Sequence, residues 1–135
     1  MKTYSKQEIA EVQLNRAISL LLDEQDIISA ITLAGAAEEI LGELLKQRGI
    51  KSTLSEMAAE YADLEAYIGQ DLNPKKFKYA VNFYRNELKH HDKGLDTIPI
   101  PIEAANEIIY RAAENLRRLT GSWPESVIRF QSFVC

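Results

Sequence analysis

Residues able to do chemistry at neutral pH gather in one short stretch, Arg85-Asn86-Glu87-Leu88-Lys89-His90, followed directly by His91. Both histidines of the chain lie here, and histidine is the side chain whose ordinary pKa places its charge change near physiological pH. Arg85 adds a permanent planar cation whose fork matches phosphate or carboxylate. The chemistry implied is acid–base transfer beside a bound anion. Residues 74 to 93 carry six Lys/Arg against two Asp/Glu, so this segment is +4 within a chain of net charge −4. A solvated helix face explains such a patch equally well, and the patch permits an anionic ligand without requiring one.

The elements that must position this cluster have helical spacing throughout, and no run shows sustained period-two alternation. Ser5 with Glu8 makes a capping-box pattern before a helix to about Leu22, whose Ala10, Leu14, Ala17, Ile18 and Leu21 fall on one stripe. Asp26 is the expected cap of a second helix, which runs to about Arg48 and stops at Gly49. Thr53 with Glu56 repeats the capping-box pattern for a third helix ending near Gly69. Asn73-Pro74 opens a fourth that carries the cluster and ends near Asp92 to Gly94.

Ile98-Pro99-Ile100-Pro101 reads as an extended connector, and Pro101 opens a fifth helix with Ile102, Ala105, Ile109, Ala112, Leu116 and Leu119 as its seam. Ser122 with Glu125 gives a third capping pattern for a short helix from Pro124 to about Phe133. The expectation is an all-α, antiparallel four- to five-helix bundle with a short C-terminal helix, forming a single domain over residues 1–135.

Ile27 to Ala37 is apolar or small nearly all round, so the second helix should run through the middle of the bundle, with Ala30, Ala34, Gly35, Ala37 and Gly42 allowing close approach. Glu38 and Glu39 follow immediately. Their position is at least partly enclosed, and the simpler expectation is that both reach solvent. On the fourth helix, Phe77, Val81, Tyr84 and Leu88 form a core stripe, while Tyr79, Phe83, Asn86 and His90 line the opposite side at spacings of four, three and four. Two aromatics on a face that should meet water imply a protein surface there, and a twofold homodimer is the economical expectation. Cover by the fifth or C-terminal helix within one chain is the competing one. In a dimer, each copy would present Asn86 and His90 at the axis, with Arg85 reaching the same cleft from the flank.

Arg85-Asn86-x-x-x-His90 resembles the R-x4-6-H motif of the HEPN superfamily, in which a polar residue, often Asn, follows the arginine. The likeness extends to a small helical bundle with the motif late in its fourth helix. It implies a dimer whose motif residues face each other in a cleft, and for many members a metal-independent ribonuclease of toxin–antitoxin, defence or RNA-processing systems. By that resemblance His90 would act as general base or acid on the ribose 2′-hydroxyl, Arg85 would neutralise the phosphorane, and Asn86 would orient the scissile phosphate. The product would carry a 2′,3′-cyclic phosphate. Lys89, Glu39 and His91 are supporting candidates, and His91 satisfies the same spacing rule as His90. Where many nuclease members carry a tyrosine two residues after the histidine, this chain has Asp92. Other members have no known cleavage activity, so a non-catalytic module for nucleotide, RNA or a protein partner such as an antitoxin is the alternative.

Two further patterns are weaker. Glu87-x-x-His90 has the spacing used in ferritin-like carboxylate bundles, but that architecture requires a second such pair and the chain has no histidine left for it. No cofactor and no metal are expected. The single cysteine, Cys135, has no partner for a disulfide within one chain, and no apolar run is long enough to cross a bilayer or to form a signal-peptide core at the N-terminus. A cytoplasmic protein away from the membrane is the expectation. The acids Glu56, Glu60 and Asp63 read as a solvated face, and Trp123 as a core or interface anchor.

Overall fold

A computed structural model describes residues 1–69, 74–89 and 96–134. Among these, the chain forms seven helices and no strand: α1 (Lys6–Glu24), α2 (Ile27–Gln47), α3 (Thr53–Ile68), α4 (Pro74–Val81), α5 (Phe83–Lys89), α6 (Ile102–Thr120) and α7 (Glu125–Val134). The all-α expectation holds.

Local chemistry sets several helix ends. The Glu8 N–H donates to Ser5 Oγ at 3.0 Å and the Ser5 N–H donates back to Glu8 Oε1 at 3.3 Å, completing the capping box of α1. Asp26 Oδ1 accepts from the Ser29 N–H at 3.0 Å at the start of α2. Gly121 ends α6 with φ of 89°, a left-handed conformation that suits a residue without Cβ, and its N–H donates to the Arg117 carbonyl at 2.7 Å.

The cap of α3 differs from expectation. Ser52, not Thr53, receives the Ser55 N–H at 3.1 Å, while Thr53 is the first helical residue and is buried. Both its N–H and its hydroxyl donate to Asn115 Oδ1 of α6, at 2.8 and 2.9 Å. A side chain from another helix therefore satisfies the first amide of α3, which the Ser52 cap on Ser55 does not reach. Nor does Ser122 cap α7, whose first turn closes on the Pro124 carbonyl, which accepts from the Val127 N–H at 3.0 Å.

α2 is the central helix, packed against α1 on one side and α6 on the other, with α7 lying against α1. Leu14, Ile18, Leu21, Ile31, Leu41, Leu45, Ile109 and Leu116 are fully buried between these elements. Burial of each such side chain is worth about 1.5–3 kcal/mol against exposure, which is what holds three long helices together. Ile102 is the exception on the expected α6 seam, since it lies exposed at the first residue of the helix. α3 packs on α4 and α6, and α5 packs on α2.

The expected fourth helix is two helices, α4 and α5, interrupted at Asn82. The Arg111 guanidinium of α6 reaches this break: Nη1 donates to the Val81 carbonyl at 3.1 Å and Nη2 to Asn82 Oδ1 at 2.8 Å. An unbroken helix would offer that Val81 carbonyl to the Arg85 N–H. A side chain inserted into the hydrogen-bond ladder is a recognised cause of such breaks.

Candidate functional site

The centre of the molecule holds a charge network that joins three helices. Glu38 of α2 is 4% exposed, yet it meets two guanidiniums: Arg85 Nη1 of α5 donates to Oε1 at 2.8 Å, and Arg111 Nε of α6 pairs with Oε2. Arg111 thus spends one edge on the carboxylate and its two terminal nitrogens on the α4–α5 break. The expectation that Glu38 reaches solvent is corrected, because the residue sits on the buried stripe of α2 with Ile31, Ala34, Leu41 and Leu45. Glu39, the next residue, points to the rim and is 46% exposed. Its Oε1 lies 3.3 Å from Arg85 Nη2 and 3.1 Å from Lys89 Nζ, which also reaches Oε2 at 3.3 Å.

Gly35 explains how Arg85 enters. A Cβ at Gly35 would lie 2.7 Å from both Cγ and Cδ of Arg85, so the arginine stem crosses α2 over a position that only glycine leaves open. Glycine inside a helix costs about 1 kcal/mol relative to alanine, and here that cost leaves room for the stem. The aliphatic part of Arg85 lies against α2 at Gly35, while its head reaches Glu38 and Glu39 three and four residues, about one helical turn, further on. The side chain is 12% exposed.

Burial pushes the Glu38 carboxyl up from the usual glutamate range, and the Arg111 and Arg85 guanidiniums pull against that shift. Burial likewise lowers Arg111, with Glu38 opposing, but a guanidinium stays charged in proteins. The network of Glu38, Glu39, Arg85, Arg111 and Lys89 therefore has two carboxylates facing three cations. Beside it opens a cleft of about 420 Å³ lined by Glu38, Glu39, Gly42, Glu43, Ser52, Leu54, Arg85 and Asn115.

Of the candidates expected from sequence, Arg85, Lys89 and Glu39 come together in this network. Asn86 is half-buried on α5. His90 and His91 lie outside the described residues, as do Asp92 and Cys135, so the histidine of the motif, the Glu87-x-x-His90 spacing and the end of the cluster helix are not described. Tyr79 is 63% exposed, and its ring meets Phe83 edge-on at 6.4 Å, with Phe83 in turn meeting Tyr84 at 5.3 Å. Tyr84 and Leu88 pack against the core as expected, while Phe77 stacks on Tyr61 of α3 at 4.6 Å.

Arg111, Asn82, Asn115 and Gly35 were not singled out for this network by sequence reasoning, although a signal was present. Ala104, Ile108, Arg111 and Asn115 recur at spacings of four, three and four along α6, and all are buried. Glu38 occupies the same kind of place on α2. One acid and one base, each standing on the apolar stripe of its own helix, are expected to find each other, since an unpaired buried charge is costly.

Elsewhere, Glu56 pairs with Arg118 at 2.7 Å, which ties the expected solvated face of α3 to α6. Trp123 packs on the core with the Arg117 guanidinium 5.7 Å from its ring centre. Among the described residues, no group of three or more His, Cys, Asp or Glu is placed to hold a metal ion, and no helix is long and apolar enough to cross a membrane. Fold and site together define an all-α protein organised around a buried arginine–glutamate network. In comparisons with family models, curated proteins and solved structures, nothing matches this chain.

Proposed function

We propose that the chain is a HEPN-like helical module whose Arg85-Asn86-x-x-x-His90 segment cleaves RNA without a metal, in a cleft completed by a second copy of the chain. The observation that carries this reading is the seating of Arg85. Its stem crosses Gly35 and its head is tied to buried Glu38, so the cation is fixed before any substrate arrives. Stabilising the extra negative charge of a phosphorane depends on such preorganisation, because a cation that must first be ordered loses much of its effect. His90 then exchanges a proton with the ribose 2′-hydroxyl, a contribution of roughly 10²–10⁴-fold, Asn86 orients the phosphate, and the product ends in a 2′,3′-cyclic phosphate. The exposed Tyr79 beside Phe83 supports a face that a second copy would cover.

A second reading, a non-catalytic HEPN-like module that binds RNA, a nucleotide or a partner protein such as an antitoxin, is favoured by one specific observation. Both terminal nitrogens of Arg85 already rest on carboxylates. Incubation with RNA in the presence of a chelator separates the two. The nuclease reading expects cleavage by wild type, ends bearing a cyclic phosphate, and loss of at least about 100-fold on His90→Ala. RNA left intact by a folded wild-type protein would instead favour the binding module.

A further inference from the structure

Arg85 has two carboxylate partners of opposite character. Glu38 is buried, doubly paired and fixed among three helices, whereas Glu39 is half-exposed and bridges Arg85 Nη2 to Lys89 Nζ from the rim of the cleft. A carboxylate held by a guanidinium on one side and an ammonium on the other occupies the position that a phosphate oxygen pair would take, because both anions present two oxygens to the same donors. The Lys89–Glu39 pair is exposed on both sides, and such pairs are individually weak. Glu38 therefore anchors the arginine, while the Glu39 pair is readily exchanged.

We infer that Glu39 is an internal stand-in for a phosphodiester: its carboxylate closes the Arg85/Lys89 pair in the free protein, and an incoming nucleic-acid phosphate displaces it. The inference rests on the reading of this cleft as a phosphate site. Displacement leaves Arg85 on Glu38 with Nη2 on the phosphate and frees Lys89 to join it. Glu39 returned to solvent then lies beside the ligand as a like charge, so it opposes binding both as a competitor and through repulsion. The carboxylate thereby sets a threshold that discriminates against weakly charged ligands.

A single-stranded 2′-deoxy oligonucleotide tests this, because it carries the phosphodiesters but lacks the hydroxyl that cleavage requires. Fluorescence anisotropy at low ionic strength should show Glu39→Gln binding about 3- to 10-fold more tightly than wild type. Glu39→Ser should do the same, and adding Lys89→Ala to Glu39→Gln should remove the gain. Glu60→Gln makes the same charge change at an exposed position on α3 and should leave affinity near that of wild type. Thermal melts confirm that each variant is folded. Unchanged or weaker binding by both Glu39 variants overturns the inference, as does an equal gain from Glu60→Gln or no binding by any protein. Failure of the nuclease reading looks different: RNA stays uncut while the Glu39 variants still bind more tightly.

Discussion

At the scale of single residues, Arg111 is the side chain on which most depends, although it lies on α6, away from the Arg85–His90 segment. It satisfies Glu38, the Val81 carbonyl and Asn82 at once. Removing Arg111 leaves buried Glu38 with Arg85 alone and strips the Val81 carbonyl and Asn82 of their donor, and Arg111→Met should cost about 3–5 kcal/mol in denaturant unfolding. Arg111→Lys should recover little of this, because one ammonium cannot reproduce a planar fork that serves three groups. The cost also has a pH signature. Burial already raises the Glu38 carboxyl above the usual glutamate range, and loss of Arg111 removes the strongest charge opposing that rise. A folded-state pKa above the unfolded one means that the folded chain binds the extra proton, so stability is gained as pH falls toward the unfolded value and lost as pH rises. The gap between Arg111→Met and wild type should therefore be narrower at about pH 5 than at about pH 8. A gap independent of pH would show that Glu38 does not feel the missing guanidinium.

At the scale of helices, what was legible in the sequence was what each helix decides for itself. The Ser5–Glu8 box, the Asp26 cap and the stop at Gly49 depend on residues within a turn of each other, and each is present. The stripes of α1 and most of α6 follow from helical periodicity, which needs no partner to be recognised. The break at Asn82 and the start of α3 were not legible, because residues 29 and 62 positions away bring them about. Arg85 was identifiable as the cation of the motif, but not its commitment to Glu38, 47 positions distant. The α3 start gives a test of such remote capping. Asn115→Ala leaves the buried N–H and hydroxyl of Thr53 without their acceptor, at a cost of about 1–3 kcal/mol. Hydrogen exchange should accelerate in the first turn of α3 while the first turn of α1, held by its own Ser5, keeps its protection. Equal acceleration in both turns would mean that Asn115 stabilises the core generally rather than capping α3.

At the scale of the whole molecule, the proposal depends on whether the face bearing Tyr79 meets a second copy. Core burial does not account for that residue: Leu88 and Tyr84 pack inward from the same segment, while Tyr79 stands 63% exposed and touches Phe83. An aromatic so placed contributes little to the monomer, so Tyr79→Glu should leave the melting temperature of a dilute sample almost unchanged. In a twofold interface the same residue is used twice, and two carboxylates brought together at the axis repel each other. Light scattering should accordingly give wild type a mass near twice the 15.3 kDa of one chain and Tyr79→Glu a mass near 15.3 kDa. If the cleft is composite, cleavage should fall with the dimer although Arg85, Asn86 and His90 are all intact, and raising the protein concentration should restore part of it by mass action. A wild-type protein that remains monomeric at every concentration tried would remove the shared cleft, and with it the reason for reading the motif as a nuclease. The Glu38–Arg111–Arg85 network would then stand as the means by which α2, α5 and α6 are locked in register.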